Sequence, residues 1–488
     1  MTPVLIVSIL VLYFGLLVSV SFFTSDAKGN DGFFVGERQS PWYLVAFGMI
    51  GASLSGVTFL SVPGWVGNEN NQFSYMQAVL GYFIGYLIIT YILMPIYYKL
   101  NVVSIYEYLK ERFCVFSHKT GAILFLISRV IGASVRLMLV AEVLQSILFK
   151  EWGVPFEATV SICILLIWLY TNKGGIKTIV WTDTLQTGFI LLSVILTAYF
   201  ISNALPVNEG HNILKQVSDG PYSRIFFFDD LYGPNHFLKH FFGGIFIAIG
   251  MTGLDQDMMQ KNLSCKNLKD AQKNMISMAS VLIIVNLIFL FLGALLYMYA
   301  ETNNISFNKP DMLFSAIASD SNTPLYIGVL FLLGLIAAAY SSADSALTAL
   351  TTSVCVDFLA VEKKPELEAQ RTRKTTHIIM SFVLYLVILI FSFISDGSVI
   401  SSLFKVAGYT YGPLLGLYAF GLLHKIELKD KWVPLICLIC PIICYVIQLN
   451  SEVWLNGYKF GFELLMLNGL LTYIGLHLLR KKHLKTSG

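Results

Sequence analysis

Charge is what this 488-residue chain has least of. Asp, Glu, Lys and Arg make up 13% of it, against roughly a quarter in soluble globular domains, and its mean hydropathy is +0.69. That excludes a water-soluble fold. Long polar stretches are also missing: the longest lie near residues 205–236 and 357–374, too short for an appended signalling or enzymatic domain. No nucleophile with a paired base, no His pair and no metal-ligand spacing stands out, which argues against an integral-membrane enzyme. The seven cysteines include Cys437, Cys440 and Cys444 at helical spacing, which read as small buried hydrophobes and not as a metal or redox set. A net charge of +3 is no nucleic-acid signature, so no nucleic-acid partner is expected. The first apolar segment lacks a basic flank and a small-residue cleavage site and is too long for a signal-peptide core, so it is expected to stay as a span.

What is present is apolar sequence in pieces long enough to cross about 30 Å of hydrocarbon. Thirteen segments qualify: 4–23, 42–66, 75–98, 121–149, 155–171, 178–204, 237–254, 274–300, 324–356, 376–395, 398–423, 432–449 and 460–479. A multi-pass protein of the lipid bilayer is expected. Lys and Arg crowd alternate loops, among them Lys28 and Arg38, Lys99 to Lys119, Lys261 to Lys273, Lys363 to Lys374 and Arg480 to Lys485. The opposite loops hold few: Lys150, Lys215, Arg224, Lys239, Lys309 and Lys459. Positive charge is retained on the cytoplasmic side, so the N-terminus is expected outside and the C-terminus inside a bacterial inner membrane.

Glycine is unevenly placed. Segment 42–66 carries Gly48, Gly51, Gly56 and Gly64, and segment 237–254 carries Gly243, Gly244, Gly250 and Gly253. These segments stand first in two successive five-helix groups. Glycine-interrupted helices at matching positions point to inverted repeats whose unwound backbone lines a midplane site; close helix packing at small residues is the plainer alternative. The resulting division is 1–40 (an extra N-terminal helix and loop), 41–205 (first repeat), 206–236 (external loop), 237–423 (second repeat) and 424–488 (two C-terminal helices and a basic tail).

Several polar residues sit inside these apolar segments. Ser341-Ser342-Ala343-Asp344-Ser345 occupies one span and Trp181-Thr182-Asp183 opens another; a carboxylate near mid-bilayer costs about 2.5–3.5 kcal/mol on insertion scales, so it faces a partner, a cavity or an ion pathway. Arg129 and Arg136, seven residues apart on one helical face, are arginines within a span. Either grips a carboxylate solute through its planar fork of donors, or neutralises Asp183, Asp344 or Glu142 in a buried network. Lys405, near the start of a later span, is read as a gate charge or as a side chain that snorkels outward.

Four ordered motifs carry a resemblance. Gly174-Gly175-Ile176-Lys177-Thr178-Ile179-Val180-Trp181-Thr182-Asp183-Thr184-Leu185-Gln186 resembles the hallmark of the sodium:solute symporter family. Gly253-Leu254-Asp255-Gln256-Asp257-Met258-Met259-Gln260, Ala338-Ala339-Tyr340-Ser341-Ser342 and Gly408-Tyr409-Thr410-Tyr411-Gly412-Pro413 agree with it in order. The resemblance implies an all-α integral membrane protein of the LeuT-type five-plus-five inverted-repeat fold. It implies Na+ as coupling ion and a small organic solute as cargo.

In that family a shared sodium site joins backbone carbonyls at the break of the first core helix to oxygens of the eighth. The matching positions here are Gly51 and Leu54, with Ala338, Ser341 and Ser342. Hard cations want oxygen ligands and an unwound helix frees carbonyls, although serines in apolar helices also bond back to the preceding turn. Some relatives hold a second sodium, and Asp183, Ser341, Asp344 and Ser345 fall on its positions. Asp344 stands where those relatives have serine, which leaves sodium, a proton or neither open at that site.

The Ser53, Ser55, Thr58 and Phe59 run resembles the sialic acid, monocarboxylate and iodide branches more than the sugar branch, and Phe73 and Gln77 fall near substrate positions of the sialic acid carriers. Asp255 is placed with the substrate residues by its motif. An acidic solute such as sialic acid is expected, with sugar, polyol or amino acid symport, proton coupling and a membrane sensor as alternatives. Oligomeric state is left open.

Overall fold

A computed structural model describes residues 3–24, 29–150, 152–207, 212–393 and 399–481. Lys28, Lys482 and Lys485 lie outside the described residues, as does the side chain of Lys405. Helices dominate because the apolar segments have no water to satisfy their backbone, and a helix pairs its own N–H and C=O groups.

The membrane helices run as follows. α1 is Val4–Thr24, and α2 (Trp42–Ser53) with α3 (Gly56–Trp65) form one span broken by 55°. α4 (Tyr75–Leu100), α5 (Val115–Phe149), α6 (Phe156–Asn172) and α7 (Gly175–Ala204) follow. α8 (Phe237–Gly253) and α9 (Gln256–Leu263) form a second broken span, bent by 64°. Then come α10 (Leu268–Thr302), α11 (Leu325–Phe358), α12 (Glu366–Ser392), α13 (Val406–Leu423), α14 (Asp430–Leu449) and the shorter α15 (Leu464–His477). Among the described residues, nine of these are long and apolar enough to span alone, eleven spans result if each broken pair counts once, and α6 and α15 are shorter apolar helices.

The two breaks fall in the two glycine-rich segments. In the first, the ladder ends with Leu54 N–H donating to the Ile50 carbonyl at 3.0 Å, and Leu54 and Ser55 leave helical geometry (ψ 62° and 170°). In the second, Asp255 caps α9 by accepting from the N–H groups of Asp257 (3.0 Å) and Met258 (3.2 Å), satisfying donors that a helix start leaves orphaned. The hallmark's Gly-Gly has a clear purpose: Gly175 sits at φ +53°, ψ −143°, a backbone conformation closed to other residues, and separates α6 from α7.

α4 and α8 pack with their backbones nearly touching. A Cβ on Gly81 would collide with the Phe241 carbonyl oxygen, and one on Gly244 with that of Ala78, so neither neighbour is a flexible side chain able to yield. Gly81→Ala is therefore expected to cost roughly 1–3 kcal/mol through overpacking, seen as a lower melting temperature in detergent. Gly188→Ala, in α7 with nothing within 4 Å of the added methyl, should be neutral or slightly stabilising. Equal melting temperatures for the two variants would overturn this account of the helix crossing.

One element departs from the sequence reading. Lys261, grouped there with the loop lysines 261–273, is 1% exposed and lies inside the bundle. α9 is polar enough to look like a loop, yet its Asp255 cap and its ion pairs carry it into the protein core.

Candidate functional site

The first break sits against α7 and α11. Gly48 has no side chain, so Asp183 of α7 approaches it, with the Asp183 Cβ 3.0 Å from where a Gly48 Cβ would be; a Gly51 Cβ would strike Thr187. A Gly56 Cβ would lie 3.9 Å from the Ala339 Cα, which brings the unwound Leu54–Ser55 backbone beside α11. The carbonyls of Gly51 to Leu54 lie past the last intrahelical bond of α2, as at any helix end, with that of Ser53 accepting only from the Thr58 hydroxyl at 3.5 Å. On α11, Ala338, Ser341 and Ser342 are all buried, and the Ser342 hydroxyl has no hydrogen-bond partner among the described residues. A buried orphan hydroxyl on α11 and freed carbonyls on the neighbouring broken helix are oxygens of the kind a hard cation takes. Ser341 is committed differently: its Oγ donates to Asp183 Oδ1 at 2.7 Å.

Around Asp183 lies a dense buried charge network. Lys261 Nζ of α9 is 2.7 Å from Asp183 Oδ2 and 4.0 Å from Asp257 Oδ1. Arg129 of α5 makes a short ion pair with Asp257 and lies 3.8 Å from Asp255 Oδ2, the oxygen that also accepts from the Tyr411 hydroxyl of α13. Ser345 Oγ links the Ser341 carbonyl (2.9 Å) to Asp257 (3.3 Å). Asp344 accepts from the Tyr170 hydroxyl of α6 at 2.9 Å and makes no salt bridge among the described residues, Lys261 acting on it only at longer range. Asp183, Asp255, Asp257, Asp344 and Lys261 are each at most 1% exposed, so every one of these charges depends on its neighbours and not on water.

Beside the network, a cavity of about 110 Å³ is lined by Ser53, Ser55 and Thr58 of the broken helix, by Arg129 and Arg136, and by Tyr75, Tyr82, Tyr86, Met251, Thr252 and Met258. The two arginines differ sharply. Arg129 is paired, whereas Arg136 makes no salt bridge among the described residues and its Nε has no hydrogen-bond partner. The three tyrosines and the α8 residues of this wall carry no sequence motif, and only their helical neighbours bring them here, whereas Met258 of α9 belongs to the Gly253–Gln260 motif.

Other residues expected at the solute site are placed elsewhere. Gln77 Oε1 accepts from Phe227 N–H and its Nε2 donates to the Asn235 carbonyl, each at 3.0 Å, with His240 Nδ1 at 3.3 Å. Phe73 N–H donates to the Arg224 carbonyl at 3.1 Å. Both tie α4 and the turn before it to the 219–236 segment and neither lines the cavity, while Asp255 serves as the α9 cap.

Residues 33–425 match the sodium:solute symporter family over most of the chain. The chain belongs to that family. It is 26% identical to the human sodium-coupled monocarboxylate transporter 2 over 403 residues, 80% of this chain but 63% of that protein. It is 26% identical to the sodium/sialic acid symporter NanT of Aliivibrio fischeri over 84% of this chain and 81% of the relative. The SiaT symporter of Proteus mirabilis is 24% identical over 84% and 82% of the two chains. This chain thus spans under two thirds of the length of the monocarboxylate transporters it matches.

In fold it is similar to a Na+-coupled sialic acid symporter in a substrate-bound outward-open state, with a TM-score of 0.81 over 98% of both chains at 19% identity. It is also similar to Mhp1, a nucleobase-cation-symport-1 family transporter, in a closed conformation, with a TM-score of 0.55 over 92% of this chain and 93% of that one at 14% identity. The family members carrying these names are transporters, in keeping with the absence of any enzyme motif in this sequence.

Proposed function

We propose that this chain is a sodium-coupled symporter that imports a small acidic organic solute by alternating access, as a multi-pass protein of a bacterial inner membrane. The observation that carries the reading is Arg136: an unpaired guanidinium on the wall of a cavity beside the broken helix. A cation left without a salt bridge in a cleft is a place for an anionic ligand, and its five fixed donors suit a carboxylate. Ser53, Ser55 and Thr58 supply hydroxyls on the same wall, and the tyrosines and methionines supply apolar surface. Sialic acid and short monocarboxylates, the solutes named in the relatives, are the first candidates. Phe73, Gln77 and Asp255 enter this reading as residues that shape the site from outside its wall.

The finer architecture belongs to the same proposal: thirteen spans, with one helix before a five-plus-five inverted repeat and two after it, the N-terminus outside and the C-terminus in the cytoplasm. The two broken helices at matching positions and the surplus of basic residues in alternate loops support it. Gly51, Leu54, Ala338, Ser341 and Ser342 make up the first sodium site in this reading, and Asp183, Asp344 and Ser345 the region of a second. Sodium entering from outside stabilises the form that binds solute, and each positive charge carried inward gains about 2.3 kcal/mol per 100 mV.

Uptake into proteoliposomes of sialic acid, lactate, proline and glucose, with and without a sodium gradient, tests the reading. Sodium-stimulated uptake of one of the acids is expected; sodium-independent movement, or preference for a neutral solute, would overturn it. Ser342→Ala removes a hydroxyl that has no other partner, so it should raise the half-maximal sodium concentration by about tenfold with little loss of expression, since one cation ligand is worth about 1–2 kcal/mol. Unchanged sodium activation would remove Ser342 from the site. A second reading, proton coupling through Asp344, is favoured by that carboxylate having hydroxyl and N–H hydrogen-bond donors but no salt bridge among the described residues; uptake driven by a pH gradient in sodium-free buffer would select it.

A further inference from the structure

The region of the second cation site already contains a positive charge of the protein's own. Lys261 Nζ lies 2.7 Å from Asp183 Oδ2, the same carboxylate whose Oδ1 accepts from Ser341, and 4.0 Å from Asp257. The side chain is 1% exposed, so this is no surface lysine caught in passing. Its position is built in. Asp257 lies one helical turn earlier on α9, Asp255 fixes the start of that helix, and Gly48 lets Asp183 reach inward.

We propose that Lys261 is a tethered stand-in for a second sodium ion: its ammonium fills the Asp183 position, so the transporter binds sodium at the broken-helix site alone. This rests on the sodium-symport reading above and deepens it to ion stoichiometry. An ammonium is a compact point charge with donors pointing outward, and it satisfies carboxylate and hydroxyl oxygens much as a hard cation does.

The charge balance favours the same conclusion. Asp183 without a cation would stand near Asp344 as a second uncompensated carboxylate in low dielectric, and like charges so placed repel. Lys261 removes that repulsion permanently, whereas a diffusible ion would remove it only when bound. A second sodium would have to displace a cation that is held at the site on a covalent tether and cannot diffuse away.

The carried charge changes accordingly. With one sodium, import of a monoanionic acid moves no net charge and is indifferent to membrane potential; a second sodium would make it electrogenic. Lys261 would thus set how steeply the solute is accumulated without touching the solute.

The experiment is equilibrium binding of ²²Na⁺ alone to the purified full-length protein, with no solute present. Wild type is expected to bind about one sodium per transporter, Lys261→Gln about two, and the double variant Lys261→Gln/Asp183→Asn about one again, since removing the tethered charge opens a site only while Asp183 remains. Lys261→Arg keeps the charge and should stay at one.

Wild-type protein that binds two ions overturns the proposal and leaves sodium symport standing, and it does so even where the Lys261→Gln protein fails to fold. Folded Lys261→Gln that still binds one ion overturns it as well. Wild type that binds none sinks the symport reading itself.

Discussion

Arg136→Met is expected to yield a folded, normally expressed protein that has lost most of its affinity for a carboxylate solute. The side chain has no ion pair to leave behind, so removing it strands no buried carboxylate among the described residues. A bidentate charge-assisted contact is worth about 1.5–3 kcal/mol, which predicts a loss of roughly ten- to a hundredfold in binding of the acid. Arg136→Lys keeps the charge without the fork and should fall between wild type and Arg136→Met. Neutral analogues of the same solute should lose little in either variant. Titrations of purified protein with the transported acid and with its amide or ester decide the matter, and equal affinity of wild type and Arg136→Met for the acid would return Arg136 to a packing role.

The contrast between the two arginines marks where sequence reasoning stops. Their seven-residue spacing places both on one face of α5 and shows that they are costly in a span. It does not say which one is free. That is decided by Asp255 and Asp257, which lie on a different helix and reach Arg129 only through the 64° break between α8 and α9.

The break itself was legible, because glycines cluster in both broken segments, and so was the boundary between α6 and α7, because the apolar segments 155–171 and 178–204 stop on either side of Gly174–Gly175. Family membership followed from four motifs in order. Lys261 escaped for a physical reason: hydropathy counts a short polar helix as loop, and only tertiary pairing with Asp183, 78 positions earlier in the sequence, lets a lysine lie buried. Gln77 was read by its likeness to a substrate position of the sialic acid carriers, but a polar side chain takes whichever donors and acceptors its surroundings offer, and here the 219–236 segment offers them first.

The complementary expectation concerns Arg129. Arg129→Met leaves the Asp257 carboxylate with Lys261 at 4.0 Å as its nearest cation and leaves Asp255 to its helix-cap N–H groups and Tyr411. Breaking a buried pair from one side costs about 3–5 kcal/mol, much of it the penalty of the charge left behind. That is a large part of the stability of any folded chain, so poor expression and a strongly lowered melting temperature in detergent are expected. The rescue separates charge from packing. Arg129→Met combined with Asp257→Asn removes the stranded carboxylate, and because replacing both members of a buried pair is often close to neutral, the double variant should recover most of the lost melting temperature. It should also bind sodium and the acidic solute, since Ser342 and Arg136 are untouched. An Arg129→Met protein as stable as wild type, or a double variant no more stable than the single one, would mean that Arg129 does not hold this network together. The separation of a structural arginine from a solute-binding one would then fall.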